Sequence, residues 1–341
     1  EYYEYLVNWM ARAVQKPDSP GEVAIVLRGK KGTGKSLFVK LFGHLWGRHF
    51  LQVSDPKHLV GSFNAHLRDC VILFGDEAFY AGDKKHESIL KMLITEELLM
   101  YEAKGVDAES GPNYSHLILA SNSEWVVPAG GDERRFFVLD VGEDQKQNHS
   151  YFELMRAQME AGGYEALLHF LMNKDISAFN VRKVPKTIAL QDQKILSFSP
   201  EEEWWYNKLQ DGLVLHYHDI WEPLVKKQDL VDDYVQQMMR YGVQRRSNAT
   251  ALGKFLARVC PKGFPINRQV YIKEDRTLSD GFMQNKTVRP YIYQFPALEL
   301  CRASFDHSCG GPFEWNQIEA VVPGAPVEVV SLWGKAKPDV F

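Results

Sequence analysis

Cysteine is scarce in this 341-residue chain: Cys70, Cys260, Cys301 and Cys309 are its four copies, and none forms a C-x-x-C pair. That scarcity excludes a disulfide framework and a zinc ribbon, and it fits a reducing, intracellular setting. Cys260, Cys301, His307 and Cys309 match no common zinc-ligand spacing, so free structural thiols are the simpler expectation. No signal peptide and no long apolar run occurs, so no membrane association is expected. Positive charge is not in excess either. The formal net charge of −4 excludes a basic coat and confines any nucleic-acid contact to local patches. Internal repeats and low-complexity tracts are missing too. What remains is a globular composition, 45% hydrophobic, long enough for two domains. The first residue is Glu rather than Met, which points to a fragment of a longer polypeptide.

The most informative feature present is Gly29-Lys30-Lys31-Gly32-Thr33-Gly34-Lys35-Ser36, a complete G-x-x-x-x-G-K-S loop that follows the apolar run Val23 to Leu27. Gly29, Gly32 and Gly34 let backbone N–H groups of the loop, including that of Thr33, close around phosphates. Lys35 supplies a cation for the β and γ phosphates, and Ser36 a hydroxyl for Mg²⁺. Leu37 to Trp46 reads as a helix whose positive N-terminal end faces the anion. Strand, loop and helix follow in the order that nucleoside triphosphate binding requires.

Around that loop, strand-like runs (Val23 to Leu27, Val71 to Phe74, His116 to Ala120, Arg135 to Val141) alternate with helical patterns. This is the signature of a parallel sheet with helices on both faces. Ahead of it, Leu6, Trp9, Met10 and Ala13 fall at i, i+3, i+4 and i+7, a helix that stops before Lys16-Pro17. Tyr151 to Ala161 and Tyr164 to Asn173 read as two helices broken by Gly162-Gly163, and the segment Lys183 to Pro200 loses periodicity. The expected organisation is an N-terminal helix over 1–20, an α/β core over 21–195 and a smaller domain over 196–341 that ends in an irregular tail.

Val71-Ile72-Leu73-Phe74-Gly75-Asp76-Glu77 delivers two acids at the carboxyl end of a strand, where open parallel sheets bind ligands. Asp76 would hold Mg²⁺ through its water shell, and Glu77 would orient the water that attacks the γ phosphate. Leu117 to Ala120 is a further buried strand that ends in Ser121-Asn122, and Asn122 can reach the same phosphate as a sensor; its alternative use is a turn cap. Asp132-Glu133-Arg134-Arg135 places two guanidinium groups on a loop. One of them suits an arginine finger, and the alternative is surface pairing with the adjacent acids.

The series GKKGTGKS, VILFGDE, ELLMYEAKGVD, LILASN and DERRFF, in that order, resembles a superfamily 3 helicase of the AAA+ class. More narrowly, it is similar to the helicase part of viral, phage and mobile-element primase-helicases. The resemblance covers roughly residues 1 to 185 with specific motifs, and more weakly the remainder, and implies an AAA+ P-loop core fuelled by ATP and Mg²⁺. It also implies a homo-oligomeric ring, commonly a hexamer, that acts on single-stranded DNA or a replication fork at an intracellular replication site. A primase domain upstream in the same polypeptide would fit that family. Lys104 falls where such proteins carry a DNA-contacting hairpin lysine, although Gly105 stands where some relatives have histidine. Lys35, Asp76, Glu77 and Asn122 would act from one subunit, and Arg135, or else Arg134, from the next. An ATP-switched initiator or loader, and an RNA-directed motor, are the competing readings.

From Tyr234 to Lys273 the basic residues Arg240, Arg245, Arg246, Lys254, Arg258, Lys262, Arg268 and Lys273 occur with no acidic one. Leu252, Phe255, Leu256 and Val259 mark one helix face, which leaves Lys254 and Arg258 on another. A preceding helix over about 230–240, and following strands at Gln269 to Lys273 and Val288 to Phe295, predict a winged-helix-like α+β domain with 273–286 as its wing. Arg245, Arg246, Lys254 and Arg258 are the candidate phosphate contacts; a solvated face, or a face that docks on an acidic partner, is the alternative. Trp204, Trp205 and Tyr206 are expected in a core rather than as stacking platforms.

Overall fold

The computed structural model describes residues 1–78, 84–131, 133–243, 247–277 and 283–318. In chain order the first half holds α1 (Tyr2–Gln15), β1 (Ala24–Arg28), α2 (Lys35–Gly43), β2 (Phe50–Val53), α3 (Pro56–Val60), β3 (Ile72–Asp76) and α4 (Lys84–Thr95). Then come β4 (Leu98–Tyr101), β5 (Glu109–Pro112), β6 (His116–Ser121), β7 (Phe136–Asp140), α5 (His149–Gln158), α6 (Tyr164–Asn173) and α7 (Ile188–Leu196). The second half holds α8 (Pro200–Asp211), β8 (Leu224–Lys226), α9 (Lys227–Arg240), α10 (Ala249–Val259), β9 (Ile266–Gln269), β10 (Ile272–Thr277), β11 (Met283–Val288), β12 (Tyr291–Gln294) and α11 (Leu298–Cys309). The described residues fall into two units, one of Glu1–Glu203 with Ala303–Phe313, the other of Trp204–Arg302 with 314–318.

In the first unit five strands pair in parallel in the order β2-β3-β6-β1-β7. Side chains alternate across such a sheet, so β1 sends Ala24 and Val26 to one face and Ile25 and Leu27 to the other. One face packs on Leu90, Leu93 and Ile94 of α4 and on Ala189 and Leu190 of α7. The opposite face packs on Trp9, Met10 and Ala13 of α1 and on Val39 and Phe42 of α2. Burial on both faces explains why these strands read as continuous apolar runs. The indole N–H of Trp9 donates to Val23 O at 2.8 Å, which pins α1 to the start of the sheet. Between Met159 and Gly163 the helical path is broken at Ala161 and Gly162, as the glycine pair predicts.

Two sequence expectations need correction. The stretch read as aperiodic contains helix α7, which buries Ala189, Leu190, Gln193 and Lys194. Two of those four are polar, so the helix shows no apolar stripe although it has a buried face. The two strands expected near residues 269–273 and 288–295 are four. Pro290 lacks an N–H and interrupts the second run, so β11 ends at Val288 and β12 begins at Tyr291.

In the second unit β8, β12 and β9 form an antiparallel sheet, β10 and β11 a hairpin, and α9 and α10 lie in sequence between β8 and β9. Trp204 and Trp205 are fully buried, as expected of core residues. Burial pushes the Asp233 carboxyl upward, but Lys208 at 2.7 Å, the Trp204 indole at 3.0 Å and His216 outweigh it and hold its pKa below the usual range. All four cysteines are buried free thiols. No helix among the described residues is long and apolar enough to cross a membrane.

Candidate functional site

The carboxyl ends of β1, β3 and β6 lie side by side, and each runs directly into polar residues. After β1 the chain turns through Gly32 and Gly34 with left-handed backbone (φ +78° and +91°), conformations a residue with a Cβ rarely adopts. Space requires glycine as well: a Cβ on Gly34 would lie 2.6 Å from the Phe152 ring. The loop is braced from within by Thr33 Oγ1, which donates to Lys30 O at 3.0 Å. It is braced from outside by the Gln147 N–H, which donates to Gly32 O at 2.9 Å, and by the Lys30–Glu143 ion pair at 2.7 Å. Gly29 N–H donates to Ser121 O at 3.2 Å. Lys35 opens α2 and is buried. Its ammonium donates to Gly29 O (2.6 Å), Lys30 O (2.9 Å) and Asn122 Oδ1 (3.0 Å). Burial pulls its pKa below the usual lysine value, and the carboxylates of Glu77 and Asp76 pull it back up.

The acids are held as firmly. Ser36 Oγ donates to Asp76 Oδ1 at 3.0 Å, and Gln52 Nε2, from the edge strand β2, donates to Asp76 Oδ2 at 2.9 Å. Glu77 has left-handed backbone (φ +56°), which turns its side chain toward the end of β6. There its carboxylate accepts from the Asn122 N–H (2.8 Å) and from Ser121 Oγ (3.0 Å). Lys35, Ser36, Asp76, Glu77 and Asn122 thus line one cavity of about 340 Å³ together with Gly32, Thr33 and Gly34. Gly34 and Lys35 also border a second cavity of about 460 Å³ whose walls are mostly apolar, among them Leu6, Phe38, Val141, Phe152 and Met155. Polar residues after strands are common, but here Asp76, Glu77 and Asn122 from two strand ends converge with Lys35 and Ser36 of α2 on one glycine loop.

Sequence reasoning missed Gln52, Ser121, Gln147 and Phe152. Each acts on a partner far away in the chain, and no local pattern marks it. The remaining candidates lie apart from this cluster in their bonding. Arg134 is exposed, whereas Arg135 is half-buried, with its guanidinium 3.5 Å from the buried Glu133. Lys104 is exposed in the turn that joins β4 to β5. Lys254 and Arg258 are exposed on α10, Arg258 lying over the Phe255 ring at 5.6 Å. Arg245 and Arg246 lie outside the described residues.

Fold and site together define an α/β protein with a polar cluster at the carboxyl ends of a central parallel sheet. Residues 27–135, which hold every member of that cluster, match a family of unknown function (DUF5906). A DNA primase-polymerase of Nitratiruptor phage NrS-1 is 28% identical over 157 residues, which cover 44% of this chain and 22% of that protein. The chain therefore spans about a fifth of that relative's length. The apo structure of the NrS-1 C-terminal region shares the fold, with TM-score 0.60 at 18% identity over 84% of this chain and 70% of that one. Another apo structure of the same region gives TM-score 0.61 at 18% identity over 86% and 71%.

Proposed function

We propose that this chain is the ATP-driven helicase motor of a phage or mobile-element replication protein, acting as an oligomeric ring on single-stranded DNA. The observation that carries the reading is the bonding of Lys35 and Glu77 to the same residue, Asn122, at the mouth of a glycine loop. A residue that touches both the phosphate-binding cation and the candidate base is placed to sense the phosphate. The strand order supports the AAA+ class as well, because β6, which ends just before Asn122, lies between the loop strand β1 and the acid strand β3. Similarity to a phage primase-polymerase supports replication as the process.

The residues fit Mg²⁺ and a nucleoside triphosphate. The loop amides and Lys35 would bind the phosphates, Ser36 and Asp76 would hold the metal, and the apolar cavity beside Gly34 has room for the base. Magnesium would supply charge neutralisation on the transferring phosphoryl group. Glu77, oriented by Ser121 and Asn122, would accept the proton of an attacking water. Arg134, the more exposed of the two arginines, is the better candidate to reach a neighbouring subunit's nucleotide. The helix pair α9–α10 followed by the β10–β11 hairpin supports a winged-helix-like reading of the second unit, with Lys254 and Arg258 as phosphate contacts.

The test is strand displacement on forked DNA with ATP and Mg²⁺. The unaltered chain should release the displaced strand, Lys35→Ala should lower nucleotide affinity by about a hundredfold, and Glu77→Gln should keep binding while losing turnover. ATP turnover without strand release would favour a loader; equal loss of binding in both variants would contradict the assigned roles.

A further inference from the structure

Among the described residues, the connection from Asn122 to Arg134 contains no helix or strand, so its backbone polar groups need partners from elsewhere. Helix α7 supplies them. Gln193, fully buried, donates to Glu124 O at 2.7 Å and accepts from the N–H groups of Val126 (2.7 Å) and Val127 (3.2 Å). Ser197, at the helix's C-cap, accepts from the Trp125 indole (3.1 Å) and the Ala129 N–H (3.0 Å). Buried Lys194 donates to Gly131 O at 2.9 Å and to Gly310 O at 2.8 Å. Gly131 and Gly310 approach so closely that a Cβ on Gly310 would overlap Gly131 O. At the helix's other side Asp192 binds Arg28, the last residue of β1 before the glycine loop, at 2.6 Å. An apolar side chain at residue 193 would serve packing equally well, so the buried amide is explained by the loop it holds.

We propose that Gln193, Lys194 and Ser197 are positioning residues for catalysis: they hold the 124–131 connection and so set how the arginines at 134 and 135 are presented to a neighbouring copy's site. This rests on the reading of the site as an ATPase. Because none of the three touches the two cavities, loosening the connection impairs turnover and spares nucleotide binding. The experiment compares Gln193→Leu and Ser197→Ala with the unaltered full chain, measuring kcat and KM for Mg-ATP, affinity for a fluorescent ATP analogue, and thermal melting. Gln193→Leu should lower kcat about tenfold and Ser197→Ala about threefold, with KM and analogue affinity within about twofold. Ser197→Thr, which keeps the hydroxyl, should restore the rate. If Gln193→Leu does not fold, the Ser197 pair decides. Unchanged kcat in folded variants, or loss of analogue affinity in step with kcat, would overturn the positioning role while the unaltered chain still hydrolyses ATP. No turnover by the unaltered chain would instead overturn the ATPase reading beneath it.

Discussion

His116 shows how a single residue can tune this sheet without taking part in its chemistry. It opens β6, is fully buried, and packs T-shaped with the Trp9 ring, the ring centroids 5.7 Å apart. Its Nδ1 contacts Tyr114 O at 3.0 Å, and its Nε2 has no hydrogen-bond partner among the described residues. Burial, with Arg12 nearby, pushes its pKa down to about 4. The folded chain therefore keeps this imidazole neutral where the unfolded chain, titrating near 6.5, takes up a proton. The contribution of this one group to stability should be fully present above about pH 6.5 and be lost on acidification toward pH 4, on the order of 3 kcal/mol in total. Urea unfolding between pH 7 and pH 4 should show this loss, and His116→Phe should remove it. A variant with the same loss would assign the acid sensitivity to other groups.

At the scale of elements, the β4–β5 hairpin is a device with its own anchor. Asn64 bonds both sides of the hairpin's first strand end: its Nδ2 donates to Met100 O and its Oδ1 accepts from the Glu102 N–H, each at 2.9 Å. Arg68 pairs with Glu109 at 3.0 Å and covers the Tyr101 ring. The turn that carries Lys104 is thus held from one side by the segment after α3. If Lys104 contacts the strand's phosphates, Lys104→Ala should weaken single-strand binding uniformly across sequences and reduce the magnitude of its salt slope by about one. Asn64→Ala should weaken the same binding without changing that slope. Equal slopes for Lys104→Ala and the unaltered chain, in fluorescence anisotropy over a salt series, would remove Lys104 from the contact. Legibility in the sequence follows the same division. Four of the five strands, β1, β3, β6 and β7, were readable to within about two residues because burial on both faces leaves apolar runs bounded by turn signals. Edge strand β2 was not, since Phe50–Val53 is short and half-exposed. Helix α7 was hidden because Gln193 and Lys194 occupy its buried face. The glycine loop, acids and Asn122 were legible as local strings, whereas Gln52, Ser121, Gln147 and Phe152 gain meaning only through chain-distant contacts.

The whole-molecule question is whether one copy suffices. Lys35, Ser36, Asp76, Glu77 and Asn122 meet in one cavity, and neither arginine is among its lining residues. Arg135 lies beside Glu133 of its own chain, whereas Arg134 faces solvent. Charge that develops on a transferring phosphoryl group needs a cation on its open side, and a second copy's Arg134 could supply it. Two defective variants then complement each other. On the proposed reading, Lys35→Ala would lack the nucleotide site but offer an intact arginine, and Arg134→Ala would keep the site but offer none. In a ring assembled at random from equal amounts, an intact site meets an intact arginine at about a quarter of the seams, so ATPase should recover to roughly a quarter of the unaltered rate. Each variant alone should stay near zero, and size-exclusion chromatography with light scattering should show the same assembly for all samples. Arginines acting within their own chain would give no recovery at any mixing ratio, and substituting Arg135 for Arg134 in the experiment tells which guanidinium crosses the seam.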